Sequence, residues 1–92
     1  MKIMVYTRDK EDALAVRQAN RTAHLDFLRG AGDVKVISAG PWLEGETAVG
    51  SLLVVEAHSV ETVKIWNKND PYVLAGLTAK VTIHPLGGWT DF

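Results

Sequence analysis

Ninety-two residues make one small domain, taken as residues 1–92, and exclude a multidomain cofactor enzyme. Apolar residues are 47% and charged residues 23% of the chain, the balance of an ordered globular protein rather than a disordered tail. Ten Lys plus Arg against eleven Asp plus Glu leave a formal charge of −1, which disfavours nucleic acid as a partner, and the absence of Cys removes disulfides, thiolate nucleophiles and Cys-based metal sites.

The segment Lys2 to Thr7 alternates Ile3 and Val5 against Lys2, Met4 and Tyr6, which predicts a strand ending at the charged run Arg8-Asp9-Lys10-Glu11-Asp12. The N-terminus meets charge too early for a signal peptide, so the expected location is cytoplasmic. A helix follows over Ala13 to Arg29. On a 100° wheel, Leu14, Arg17, Arg21, His24, Leu25 and Leu28 share one arc, so the core-facing stripe carries three polar groups. Asn20 is a candidate second N-cap that would split the helix, and Gly30-Ala31-Gly32 is a C-cap signal.

Val34 to Ala39 reads as a second strand stopped by Gly40-Pro41, and Trp42 to Gly50 as an aperiodic hairpin loop. Gly50 to Ala57 reads as a third strand whose Leu52 to Val55 is apolar on both faces, the pattern of a strand covered on both sides. That run is the longest strongly apolar stretch and cannot span a bilayer, so no membrane is expected. Ser59 caps a helix over Val60 to Lys68, with Val60, Val63, Trp66 and Asn67 inward. Asn69-Asp70-Pro71 ends it, and Pro71 opens a short helical turn through Tyr72 to Ala75. Thr78 to His84 is the last strand, with Ala79, Val81 and Ile83 alternating. The tail Gly87 to Phe92 is irregular, and its two aromatics are expected to dock on something.

The order β-α-β-β-α-β is the ferredoxin-like α+β plan, an antiparallel sheet with both helices on one face. A chain this short buries only about 60 to 65% of its unfolded surface. With strand three apolar on both faces, the expectation is a homodimer that packs sheet on sheet, a dimeric α+β barrel type.

This plan hosts many jobs, so the site decides. Strand three, GSLLVVEA, offers no ring for stacking RNA bases, and no phosphate loop, dinucleotide fingerprint or serine elbow is present. The histidines at 24, 58 and 84 have no metal-ligand spacing, so no metal and no cofactor are expected. What remains is His24 on the inward stripe with Arg17 and Arg21, together with Asp70. Buried polar groups cost about 1 to 3 kcal/mol unless hydrogen-bonded, so all three stripe residues need partners. Two accounts stand side by side. In one, His24 is a satisfied core histidine, the arginines snorkel and Asp70 only caps the Pro71 turn. In the other, they build a site.

Arg21-Thr22-Ala23-His24-Leu25, Ala39-Gly40-Pro41, Gly50-Ser51-Leu52 and Asp70-Pro71-Tyr72 with Ala75-Gly76 occur in an order and at separations that resemble the YCII-related (YciI-like) family over nearly the whole chain. Thr22 stands where many relatives carry Pro, and Gly87-Gly88-Trp89 replaces a more basic stretch. The resemblance implies a dimerising ferredoxin-like domain in which a His and an Asp meet in a pocket; by motif these are His24 and Asp70. Gly40, Pro41, Ser51 and Tyr72 then join Arg17 and Arg21 as substrate-binding residues. Some members of the family are dehydrochlorinases of chlorinated hydroxyhydroquinones. The resemblance therefore implies a small cofactor-independent lyase or isomerase acting by acid/base chemistry on a cyclic or phenolic compound. A non-catalytic dimeric ligand-binding or regulatory module, and a phosphohistidine carrier using His24, are the other readings.

Overall fold

Alternation along the first strand decides the layering. In the computed structural model, which describes residues 1–30 and 32–92, β1 (Lys2–Asp9) sends Ile3 and Val5 into the interior, both fully buried, while Tyr6 on the opposite face is partly exposed. The chain continues through α1 (Leu14–Leu28), β2 (Val34–Glu44), β3 (Thr47–Ala57), α2 (Val60–Asn67), the single turn α3 (Pro71–Leu74) and β4 (Thr78–Pro85). The sheet order is β2-β3-β1-β4 with every pairing antiparallel, the ferredoxin-like plan expected from the element order. Ile3, Val5, Leu53 and Val55 on the inner face pack with Leu28 of α1 and Val63 of α2, so both long helices cover one side of the sheet.

Two expectations are corrected. The segment from Trp42 to Gly50 is not a loop: β2 runs on to Glu44, β3 begins at Thr47, and Gly45-Glu46 alone form the turn. Gly45 has φ 60°, the left-handed value that a two-residue II′ hairpin turn takes at its first position. Nor does Gly40-Pro41 stop β2. This strand lies at the sheet edge, where a residue without an N–H is tolerated, and Pro41 stays in register with Ser51. The extended hairpin is fixed on the outer face by Trp42, whose Nε1–H donates to the Thr7 carbonyl at 2.7 Å across Gly50. Any Cβ at Gly50 would collide with both the indole and that carbonyl, so glycine is required there.

The helix α1 is continuous through Asn20, whose side-chain amide donates to the Val16 carbonyl at 2.9 Å instead of capping a second helix. Of the expected C-cap triplet, Ala31 lies outside the described residues. On the α1 stripe, Arg17, His24 and Leu28 are buried, whereas Leu14 and Arg21 are exposed. In α2, Val63 and Asn67 are buried and Val60 and Trp66 half-buried, with the Ser59 hydroxyl accepting from the Thr62 N–H. The tail does not dock on its own chain: Trp89 is half exposed and Phe92 fully so. No helix among the described residues is long and apolar enough to cross a membrane.

Candidate functional site

Asp70 is placed by its neighbour. A residue before proline is driven into extended backbone, and Asp70 has φ −61° and ψ 128°. Its side chain then caps α3, Oδ1 accepting the Tyr72 N–H at 2.9 Å, and Pro71 fills the first helical position where its missing N–H costs nothing. A capped turn holds its carboxylate at a fixed angle. That angle meets His24, whose Nδ1 lies 2.8 Å from Oδ1 and 3.0 Å from Oδ2 of Asp70, with both side chains buried. An ionised carboxylate accepts only, so Nδ1 is the donor and the lone pair of the neutral ring sits on Nε2. Tyr72 completes the support: its phenol ring stacks on the imidazole, centroids 3.8 Å apart and planes 11° apart.

Arg17, two turns earlier on α1, makes the second buried cluster. Its Nε–H and Nη2–H donate to Asp9 at 2.7 and 3.4 Å, and Nη2–H also donates to the Ser51 hydroxyl at 2.7 Å. The guanidinium carbon lies 4.7 Å from the Tyr72 ring centre, so Tyr72 touches both clusters. Thr7 closes the network by accepting the Ser51 N–H at 3.0 Å. Burial pushes the Tyr72 phenol above its ordinary value of 10, against the opposing pull of Arg17 and then Arg21. At neutral pH it is therefore a protonated donor.

These groups border a recess of about 110 Å³. Of the eight residues singled out in the sequence, all but Asp70 line it, and Asp70 stands directly behind His24. Leu25, Leu28 and Leu53 give it an apolar floor, while the backbone of Gly40 and the ring of Pro41 form one wall. Among the described residues, His24 Nε2, the Tyr72 hydroxyl and Arg17 Nη1 have no protein hydrogen-bond partner, and none of them is sealed from solvent. The three residues that carry this acceptor and these two donors all line the recess. A wider groove of about 450 Å³ between the charged segment after β1 and the β2–β3 hairpin has more room but lacks a comparable pair. No group of three potential metal ligands occurs among the described residues.

The residue that sequence reasoning missed is Asp9. The charged run that includes it is expected to end the first strand, yet Asp9 belongs to β1 and continues the inward alternation Ile3, Val5, Thr7 by one more step, and its side chain is 6% exposed. The signal was the period-two pattern carried past the first charged residue.

Comparison with known proteins extends the resemblance. The YCII-related domain matches residues 1–87. The chain is 32% identical to Protein YciI of Escherichia coli O6:H1 and to Protein YciI of Shigella flexneri, over 92% of this chain and 95% of each relative. It superposes with a TM-score of 0.84 on the 5-chloro-2-hydroxyhydroquinone dehydrochlorinase TftG of Burkholderia phenoliruptrix AC1100, solved in complex with 2,5-dihydroxybenzoquinone. That match is 33% identical and covers 94% of this chain and 93% of the other. A domain match over nearly the whole length, with relatives above 30% identity, establishes that this chain belongs to the YCII-related family.

Proposed function

We propose that this protein is a small enzyme that moves a proton on a single-ring hydroxylated compound, with His24 Nε2 as the general base and acid. The observation that carries the reading is the buried His24–Asp70 pair with Nε2 open to a ring-sized recess. A recess of about 110 Å³ with one open side is on the scale of the roughly 150 Å³ cavities that take benzene. The structural relative named for a chlorinated hydroxyhydroquinone, and solved with a benzoquinone, supports the same ligand size.

In this mechanism Nε2 takes a proton from the ring compound while Asp70 stabilises the imidazolium through Nδ1–H. The Tyr72 hydroxyl donates to a ring oxygen, and Arg17 Nη1 does so from the opposite cluster. Returning the proton to another atom makes the reaction an isomerisation. Loss of the proton together with a leaving anion makes it an elimination, as a dehydrochlorinase requires. No covalent nucleophile is invoked. The test is to incubate the protein with chlorinated and unchlorinated hydroxyhydroquinones and follow ring absorbance and chloride release. Consumption that disappears in His24→Asn supports the enzyme. A ligand that binds and stays intact supports the binding module instead, and acid-labile phosphate on His24 supports the carrier.

The same reading includes a homodimer. Tyr6, Leu52 and Ile37 are each between 37 and 47% exposed on or beside the sheet face opposite the helices, where Trp42 also stacks on Tyr6. An apolar face of this kind on a central strand needs cover, and a second copy supplies a matching one.

A further inference from the structure

Resting on that reading, we infer that the ring compound this site prefers carries a carboxylate, and that Arg21 at the mouth of the recess is the group that holds it.

Arg21 differs from the other arginines in having no acidic partner. Arg8 pairs with Glu44, Arg17 with Asp9 and Arg29 with Asp26, whereas Arg21 makes no ion pair among the described residues. It is exposed, yet it borders the recess in front of His24. Arg17 cannot do the same job, because Asp9 already neutralises its charge and Ser51 takes a further N–H. The structure thus divides the two arginines that the sequence grouped together. One is a neutralised wall of the recess, and the other is an uncommitted cation at its entrance.

Arg21 also stands at a junction. With Arg17 and Pro41 it borders a second groove of about 270 Å³, which runs from Leu14 and Gln18 on α1 to Thr47 and Ala48 after the hairpin turn. A substituent on the ring therefore has space beside Arg21 without entering the ring recess. Glu46 also lines this groove, so the groove suits one carboxylate at Arg21 and disfavours a second anion beside Glu46.

Charge balance gives the carboxylate a role in the reaction. With neutral His24, the two cations Arg17 and Arg21 match the two anions Asp9 and Asp70. Proton transfer from the ring to His24 conserves the total charge, leaving an anion on the ring and an imidazolium in the recess that Arg21 borders, and Arg21 opposes the imidazolium. A substrate carboxylate on Arg21 cancels that opposition, so the group that binds also eases protonation of the base. A planar guanidinium suits this anion through two parallel N–H donors.

The experiment uses a matched pair of rings, 2,5-dihydroxybenzoate and hydroquinone, titrated into the full-length protein by calorimetry. The wild type is expected to prefer the carboxylated ring by about 10- to 100-fold, the worth of one charge-assisted contact. Arg21→Gln should erase that preference while keeping affinity for hydroquinone, and Arg21→Lys should recover part of it. Equal affinity of the wild type for the two rings, or a preference that survives Arg21→Gln, overturns the assignment. Carboxylate preference with no turnover of any hydroxylated ring keeps this inference and removes the enzyme reading, so the two fail separately.

Discussion

The imidazole of His24 lies flat on the phenol ring of Tyr72, centroids 3.8 Å apart, while the carboxylate two residues before that tyrosine accepts its Nδ1 proton. One short turn, Asp70-Pro71-Tyr72, therefore fixes both the tautomer and the ring plane of the base. His24→Ala is expected to lower turnover of a hydroxylated ring by about 10² to 10⁴, the usual share of a general acid/base. Asp70→Asn should also slow the reaction strongly without unfolding the protein, since an amide oxygen still caps α3. Because the two act as a unit, the double variant should be little slower than the slower single one. Additive losses in that cycle would make them structural neighbours only.

Local chemistry made part of this site legible in the sequence. The Asp70-Pro71 step announces a capped turn, and the inward stripe of α1 announces that Arg17 and His24 need buried partners. What the sequence could not give is which partner each takes, because His24 meets a residue 46 positions away and Arg17 meets Ser51 across 34. The wheel also placed Arg21 inward with Arg17 and His24, but Arg21 is exposed where it borders the recess while both of those residues are buried. The hairpin was misread for a different reason. Trp42 to Gly50 has no clean alternation because the Gly45-Glu46 turn divides it and a register shift follows Trp42, while the strands are held by their own pairing and by the tertiary contact of Trp42 with Thr7.

Asp9 and Arg17 form an ion pair with side chains only 6 and 8% exposed, and removing one member leaves a buried unpaired charge. Asp9→Ala is expected to cost about 3 to 5 kcal/mol of unfolding free energy in urea. Replacing both, as Asp9→Ala with Arg17→Met, should cost less than Asp9→Ala alone, because no orphaned cation remains. A double variant less stable than the single one would show that the hydrogen bond from Arg17 to Ser51 outweighs the stranded charge.

Burial raises the Tyr72 phenol above its ordinary value of 10, which gives alkaline stability a definite sign. Below pH about 10 both the native and unfolded chains hold the proton and the group makes no pH-dependent difference. As pH climbs from there towards the native value, the unfolded chain loses its proton first and is stabilised, so native stability falls. Tyr72→Phe removes this loss. Its urea midpoint should decline less between pH about 9 and 11 than that of the wild type, and an equal decline would place the titration elsewhere.

The outer sheet face provides the last test. Leu52 sits on β3, an interior strand of the four, and points away from the helices with 43% of its surface exposed, beside Tyr6, its register partner on β1. A two-fold dimer that covers this face buries the same leucine from both copies. Each leucine fully removed from water contributes about 1.5 to 3 kcal/mol, and half of that applies to a residue already half covered. Light scattering at micromolar concentration is expected to give twice 10.1 kDa for the wild type. Leu52→Glu loses the apolar contribution twice and sets two carboxylates close to one symmetry axis, so it should scatter as a monomer. Its far-ultraviolet circular dichroism should stay unchanged, because this side chain contributes nothing to the core on the helix side. A wild-type monomer, or a Leu52→Glu variant that remains fully dimeric, would show that the face is covered in some other way.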